Sequence, residues 1–239
     1  MRARLSPKWR RGPVPARPWW LDLETRADRF ERHVLTRASA PPTDPPATTT
    51  SAPEDDFQRI VSRFIAEMER LTARAVAGAL DLEEWYEVGY EALTRAHADS
   101  YALGRTFGGN AATEEEIAQV AQAVADLESY YLRGFQNDIA SGMYEDREDQ
   151  AARRAASYAG RARGTANGGF VDGSPDTAQF YWQDTDDERE CEDCPILAEA
   201  SPYGRDDIPA VPGSNDTPCL FNCRCRLVRD DGAEGFNPS

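Results

Sequence analysis

The distribution of cysteine is the strongest constraint on how this chain can fold. All five cysteines of the 239-residue sequence lie within 35 residues, at Cys191, Cys194, Cys219, Cys223 and Cys225. A Cys-x-x-Cys turn presents two thiolates to one side of a metal ion, and a second group further along the chain can complete a tetrahedron around zinc. The intervening segment is rich in glycine and proline and poor in apolar side chains. Because such a segment cannot fold on apolar burial alone, we predict a structural Zn²⁺ site with four of the five cysteines as ligands.

Two other chemistries of these cysteines remain open at the level of sequence. Disulfide bonds or free thiols are one alternative, and disulfides would require an oxidising environment. A redox-active Cys-x-x-Cys normally has a lowered thiol pKa, whereas the acidic residues at 184–193 oppose a thiolate at Cys191. Arg189, Arg224 and Arg226 lie near the cysteines in sequence and would favour metal-bound thiolates.

Catalysis has little support in this sequence. The two histidines, His33 and His97, lie 64 residues apart in unlike segments. A catalytic zinc ion needs an open coordination position and a nearby acid or base, and a cluster of four or five thiols leaves no evident open position. We therefore expect no catalytic residues and no enzymatic activity.

Residues 55–165 carry the apolar periodicity of a small antiparallel helical bundle. The first stripe starts at Phe57, directly after three acidic residues that suit the start of a helix. Further helices are predicted from Asp81 and from Thr113, because glutamate follows each of them at the third position, as in a capping box. A weaker fourth helix with an alanine face is predicted at about 146–163. The fold class is therefore mainly α: a small antiparallel helical bundle followed by a loop-rich, zinc-clipped C-terminal module.

The N-terminal part of the chain differs from the rest in charge. Residues 1–38 hold ten basic and four acidic side chains, a net charge of +6, so the other 201 residues carry −21 of the total of −15. Trp9, Trp19 and Trp20 lie in this basic arm, which is either disordered or a docking segment for a partner. Residues 39–54 are rich in proline and threonine and are predicted to form an extended linker. The Cys-rich module is assigned to 166–230 and a disordered tail to 231–239.

Membrane insertion and secretion are not expected. No apolar run approaches the ~20 residues that cross a bilayer, and the mean hydropathy is −0.67. No uninterrupted apolar stretch with a cleavage site follows the N-terminal arginines. These features predict a soluble chain that is made in the cytoplasm and has no membrane partner.

Four stretches of the C-terminal region together resemble a known signature. They are residues 191–197 (CEDCPIL), 201–204 (SPYG), 208–214 (IPAVPGS) and 217–225 (TPCLFNCRC). This run is similar to the C-terminal segment of the tailed-phage minor head proteins, the head-morphogenesis proteins related to the F protein of phage Mu. The family commonly ends in His-Pro-x-Cys-x-Cys. Here Leu220 and Phe221 occupy the His-Pro positions, and Cys219 lies one place earlier as a substitute for the missing histidine.

The resemblance covers roughly residues 55–228 and implies a non-enzymatic virion component. Proteins of this group are minor capsid proteins that associate with the portal or the inside of the procapsid. The expected partners are therefore the phage portal or other head proteins, with a homo-oligomer on the portal ring as a further expectation. The expected location is the virion, after synthesis in the host cytoplasm.

A different class of function remains as the alternative. A zinc-containing regulator that binds nucleic acid would use basic residues to contact phosphate. The acidic body opposes such contacts, so that DNA binding would have to occur through the arm at 1–38 alone. Strongly salt-dependent DNA binding that is lost when this arm is deleted would favour the regulator.

Overall fold

The computed structural model of the chain describes residues 46–185, 191–214 and 217–237. The basic arm and its predicted docking residues, Trp9, Trp19 and Trp20, lie outside the described residues. Within the described ranges the chain is mainly helical with a small sheet, which confirms the mainly α class.

Three long helices begin where the sequence predicts them. They are α1 (Glu54–Val76), α2 (Leu82–Gly108) and α3 (Glu114–Ala140). At α2 the Asp81 carboxylate accepts hydrogen bonds from the backbone N–H groups of Glu83 and Glu84, which is an N-cap without the reciprocal half of a box. At α3 the complete capping box of Thr113 and Glu116 is present. Both start signals therefore act through the free N–H groups at the helix N-terminus.

Ion pairs and hydrogen bonds between the helices show that neighbours run antiparallel. Between α1 and α2, Arg63 pairs with Asp99, and Glu67, one turn later in α1, pairs with Arg95, one turn earlier in α2. Between α2 and α3, Glu83 pairs with Arg133 and Arg105 with Glu116. In both cases residues later in one helix meet residues earlier in the other, as expected for helices joined by short loops.

The predicted fourth helix is divided, and its second part extends beyond the predicted boundary. It consists of α4 (Glu148–Ser157), a 3₁₀ turn (Tyr158–Arg161) and α5 (Ala162–Gly173). The alanine face is buried as expected, at Ala151, Ala155, Ala159 and Ala162. Because α5 crosses residue 165, the bundle at 55–165 and the module at 166–230 share a helix, and the predicted boundary between them falls inside it.

Helix α5 lies against α2 with glycine on both sides of the contact. An added Cβ at Gly104 of α2 would lie 2.8 Å from the Phe170 amide nitrogen and closer still to the Ala166 carbonyl oxygen. An added Cβ at Gly169 of α5 would lie 2.5 Å from the Tyr101 carbonyl oxygen. The two backbones therefore touch directly, which only glycine permits.

A five-stranded sheet follows the helices, in the order β1-β5-β4-β2-β3. Its strands are β1 (Thr50–Ser51), β2 (Gln179–Gln183), β3 (Tyr203–Gly204), β4 (Arg226–Arg229) and β5 (Ala233–Glu234). The central strand β4 is antiparallel to β2 and β5, β2 is antiparallel to β3, and β1 is parallel to β5. The C-terminal region was predicted to be loop-rich, and the sheet is an addition to that prediction, with backbone hydrogen bonds that join distant parts of the region.

Both predicted flexible ends of the body differ from the structure. Residues 231–237, assigned to a disordered tail, contain β5 and the fully buried Phe236, whose ring contacts Phe57 and Phe107. The backbone N–H and C=O of Phe236 are both bonded to the Asn167 side chain. The end of the predicted linker at 39–54 is also part of the fold, because β1 pairs with β5 and Ala52 is buried. Among the described residues, no helix combines the length and apolar composition needed to cross a membrane.

The contact between α2 and α5 leads to a prediction with a matched control. Gly104→Ala places a methyl group against the backbone of α5, and we expect the free energy of unfolding to fall by about 3 kcal/mol. Gly134→Ala on α3 has only an Arg154 side-chain atom nearby, 3.9 Å away, and should raise it by about 0.5–1 kcal/mol through helix propensity. Urea unfolding of both variants tests this, and equal effects would contradict the packing described.

Candidate metal centre

The five cysteine sulfurs form two groups that share one member. The Cys191 sulfur lies 3.1 Å from that of Cys194 and 3.4 Å from that of Cys219, and the sulfurs of Cys194 and Cys219 are 3.8 Å apart. Those of Cys194, Cys223 and Cys225 all lie within 4.8 Å of one another. A tetrahedral site with metal–sulfur bonds near 2.3 Å separates its sulfurs by roughly 3.8 Å. The cysteines therefore lie close enough to hold a metal ion, and Cys194 belongs to both groups.

Three short elements bring these cysteines together. Helix α6 (Asp193–Ala200) begins in the Cys-x-x-Cys turn, where the Cys194 N–H donates to the Cys191 carbonyl over 3.2 Å. A 3₁₀ turn at Leu220–Asn222 separates Cys219 from Cys223, and Leu220 has a φ of 53°. Cys225 immediately precedes β4. A helix start, a tight turn and the start of a strand therefore converge on one cluster.

The cluster is closed on one side and partly open on the other. Cys194, Cys223 and Cys225 are buried, whereas Cys191 and Cys219 are partly exposed, and none of the five forms a disulfide. Both groups consist of cysteine only within the described ranges. The Thr217 hydroxyl lies 3.0 Å from the Cys219 sulfur. The donor set offered to a metal is therefore made of thiolates alone.

Hydrogen bonds among the thiols divide them into stronger and weaker acids. Hydrogen bonds from Cys194 and Cys223 lower the pKa of Cys225 to about 4. Cys194 has a raised pKa because its thiol donates hydrogen bonds to the sulfurs of Cys223 and Cys225. Burial raises the pKa of Cys219 to about 12. At Cys191 burial raises the pKa, but hydrogen bonds from its neighbours outweigh it and leave the pKa lowered. The pKa of Cys191 is therefore lowered in spite of its acidic flank, contrary to the expectation from sequence.

Two residues that the sequence did not single out surround the buried half of the cluster. Arg163 of α5 is 7% exposed, and its Nη2 donates to the Cys223 carbonyl over 2.7 Å. The Trp182 indole N–H of β2 has no partner within ordinary hydrogen-bond geometry among the described residues, and it contributes to the low pKa of Cys225. Both residues precede the first cysteine in the chain, and no spacing pattern connects them to it.

The three arginines that were predicted to support the thiolates differ in their surroundings. Arg226 forms an ion pair with Glu234, 3.0 Å away. Arg224 is partly buried next to Cys223 and Cys225. Arg189 lies outside the described residues. The buried cation beside the cysteines therefore comes from the bundle side, through α5.

His97, the histidine within the described residues, lies in the packed interior. It is fully buried between α2 and α5, with Nδ1 2.7 Å from the Thr165 hydroxyl. Burial lowers the pKa of its imidazole to about 3, so the side chain is neutral at ordinary pH. This environment suits a packed core histidine. The other histidine, His33, lies outside the described residues.

Comparisons with protein-family models, with curated proteins and with solved structures found no match to this chain.

The shared position of Cys194 predicts a large effect of its substitution. Cys194→Ser removes a sulfur from both groups, and we expect loss of the bound metal and a melting temperature lower by roughly 10 °C. A strong chelator should lower the melting temperature of the unmodified chain by a similar amount and leave the variant unchanged. Thermal unfolding with and without chelator, together with elemental analysis, measures both effects. Unchanged metal content in the variant would contradict the role of Cys194.

Proposed function

We propose that this chain is a minor structural component of a tailed-phage head, without enzymatic activity, whose C-terminal module is held together by one structural zinc ion. Its proposed location is the virion, and its proposed partners are the portal or other head proteins. The observation that carries the proposal is that the cysteine signature forms one packed unit with the helical body.

Zinc is the metal that suits this donor set best. Thiolates are soft ligands that favour zinc over the hard cations magnesium and calcium, and all-cysteine zinc sites are typically structural. The five sulfurs lie in two groups of three that share Cys194, and four of them would supply the ligands of a closed tetrahedral site. A closed site leaves no position for a substrate, which supports a structural role for the metal ion.

The phage-head part of the proposal is supported by how the signature stretches are packed. Tyr203 of SPYG and Ile208 of IPAVPGS are fully buried, and both belong to the same apolar cluster as Cys194, Cys223 and Cys225. Phe57 of α1 belongs to that cluster as well. The residues that carry the resemblance therefore belong to one packed interior and not to separate surface loops. This is the arrangement expected if the signature marks a folded module.

An exposed apolar strip on α3 supports an assembly role. Leu127, Tyr130 and Tyr131 are 48%, 79% and 51% exposed, and their spacing places them on one face of the helix. Exposed aromatic side chains of this kind are typical of protein–protein contacts. We propose this strip as a surface that contacts a neighbouring head protein, in addition to any contact made by the arm at 1–38.

The direct test is quantitative mass spectrometry of purified source particles. The proposal predicts this chain at a low, fixed ratio to the portal protein in every preparation, because a minor head protein is incorporated in a defined number of copies. The major capsid protein, counted in the same digest, serves as the internal control. Absence from mature particles despite expression in infected cells would contradict a virion component. It would point instead to a transient assembly factor or to the nucleic-acid-binding regulator, in which the basic arm contacts phosphate.

A further inference from the structure

We propose that Arg163 is the buried counter-charge of the cysteine cluster and that it strengthens metal binding without being a ligand. The inference rests on the proposed metal site, and it assigns a function to a residue of the helical part of the chain. It identifies α5 as the element through which the bundle supports the metal centre.

Arg163 is held in place by contacts on two sides. Its Nη2 donates to the carbonyl of Cys223, 2.7 Å away, and the side chain is almost completely buried. Its Nε lies beside the tight turn at Gly213, where an added Cβ would come within 3.1 Å of it. The next residue, Gly164, is in backbone contact with the same turn. The guanidinium is therefore fixed between α5, the Gly213 turn and the cysteine segment.

The electrostatic neighbours of Arg163 are mainly thiols. Burial lowers the pKa of its guanidinium, while Cys223, Cys219 and Cys225, together with Glu54 of α1, raise it. Guanidinium groups keep their proton in proteins even when they are buried. A permanent positive charge thus lies within electrostatic range of three of the five cysteines.

A metal–thiolate cluster needs such a charge. Four thiolates around one Zn²⁺ carry a net charge of −2, and burying this charge without compensation is costly. A cation within the same low-dielectric interior offsets part of that cost, and the hydrogen bond to the Cys223 carbonyl fixes the segment that carries two of the sulfurs. Removing the charge should therefore weaken metal binding even if the fold persists.

Three substitutions separate charge from shape. Arg163→Met removes the charge and the hydrogen bond, Arg163→Gln keeps an N–H donor without charge, and Arg163→Lys keeps the charge. The matched control is Arg154→Met on α4, an arginine of the bundle that pairs with Asp138 and Tyr144. Arg154→Met should lower stability without changing zinc affinity, because its partners lie outside the cysteine groups.

The measurement is the zinc dissociation constant of each full-length variant, obtained by competition with a chromophoric chelator, with circular dichroism as the check of fold. We expect about 10- to 100-fold weaker binding for Arg163→Met and Arg163→Gln, and nearly unchanged binding for Arg163→Lys and Arg154→Met. If Arg163→Met does not fold, the comparison of the Lys and Gln variants decides the question.

Three results would overturn the inference, and they are distinguishable from one another. Equal zinc affinity in Arg163→Gln and the unmodified chain, or an equal loss in the Lys and Gln variants, would show that the charge does not support the metal. Failure of the unmodified chain itself to bind zinc would overturn the metal site of the proposed function, and this inference with it.

Discussion

Helix α5 lies against α2 with almost no side chain between the two backbones, and the rest of the structure depends on this contact. Gly104 and Gly169 permit the approach. From α5, Asn167 binds the backbone of Phe236 and Pro212, and Arg163 binds that of Cys223. The helix therefore holds the end of the chain, the proline-rich loop and the cysteine segment from one side. Without the glycine contact these side chains would not reach their partners.

This arrangement explains why the bundle and the cysteine module are not separate units. Val61 of α1 packs against both main apolar clusters, and Phe57 and Phe107 of the bundle helices contact Phe236. β1, which precedes α1, pairs with β5 near the end of the chain. A metal ion bound at the cysteines would therefore stabilise a region that is already linked to the bundle. Its loss should lower the stability of the bundle as well as that of the loops that carry the cysteines.

The bundle could be predicted from sequence because its signals are local. Apolar residues such as Phe64 and Met68 recur at helical spacing, and the box of Thr113 and Glu116 marks a helix start within four residues. Helix α5 has no such signal, because it contains four glycines in twelve residues, a composition that is typical of a loop. Its helical state depends on tertiary packing against α2, which a propensity argument does not include.

The candidate site was predictable in its cysteines but not in its surroundings. Cysteine spacing alone predicted the cluster, because all five thiols lie within 35 residues of one another. The strands were missed because they are two to five residues long and are defined by backbone pairing between distant segments. Arg163 was missed for a related reason, because a buried arginine and an exposed one look the same in sequence.

X-ray absorption at the zinc edge of the full-length chain, with metal content measured on the same sample, tests the central claim most directly. The account predicts one zinc ion per chain, surrounded by four sulfur atoms at about 2.3 Å. A chain that retains no zinc after dialysis, or a zinc shell made mainly of nitrogen and oxygen, would contradict it.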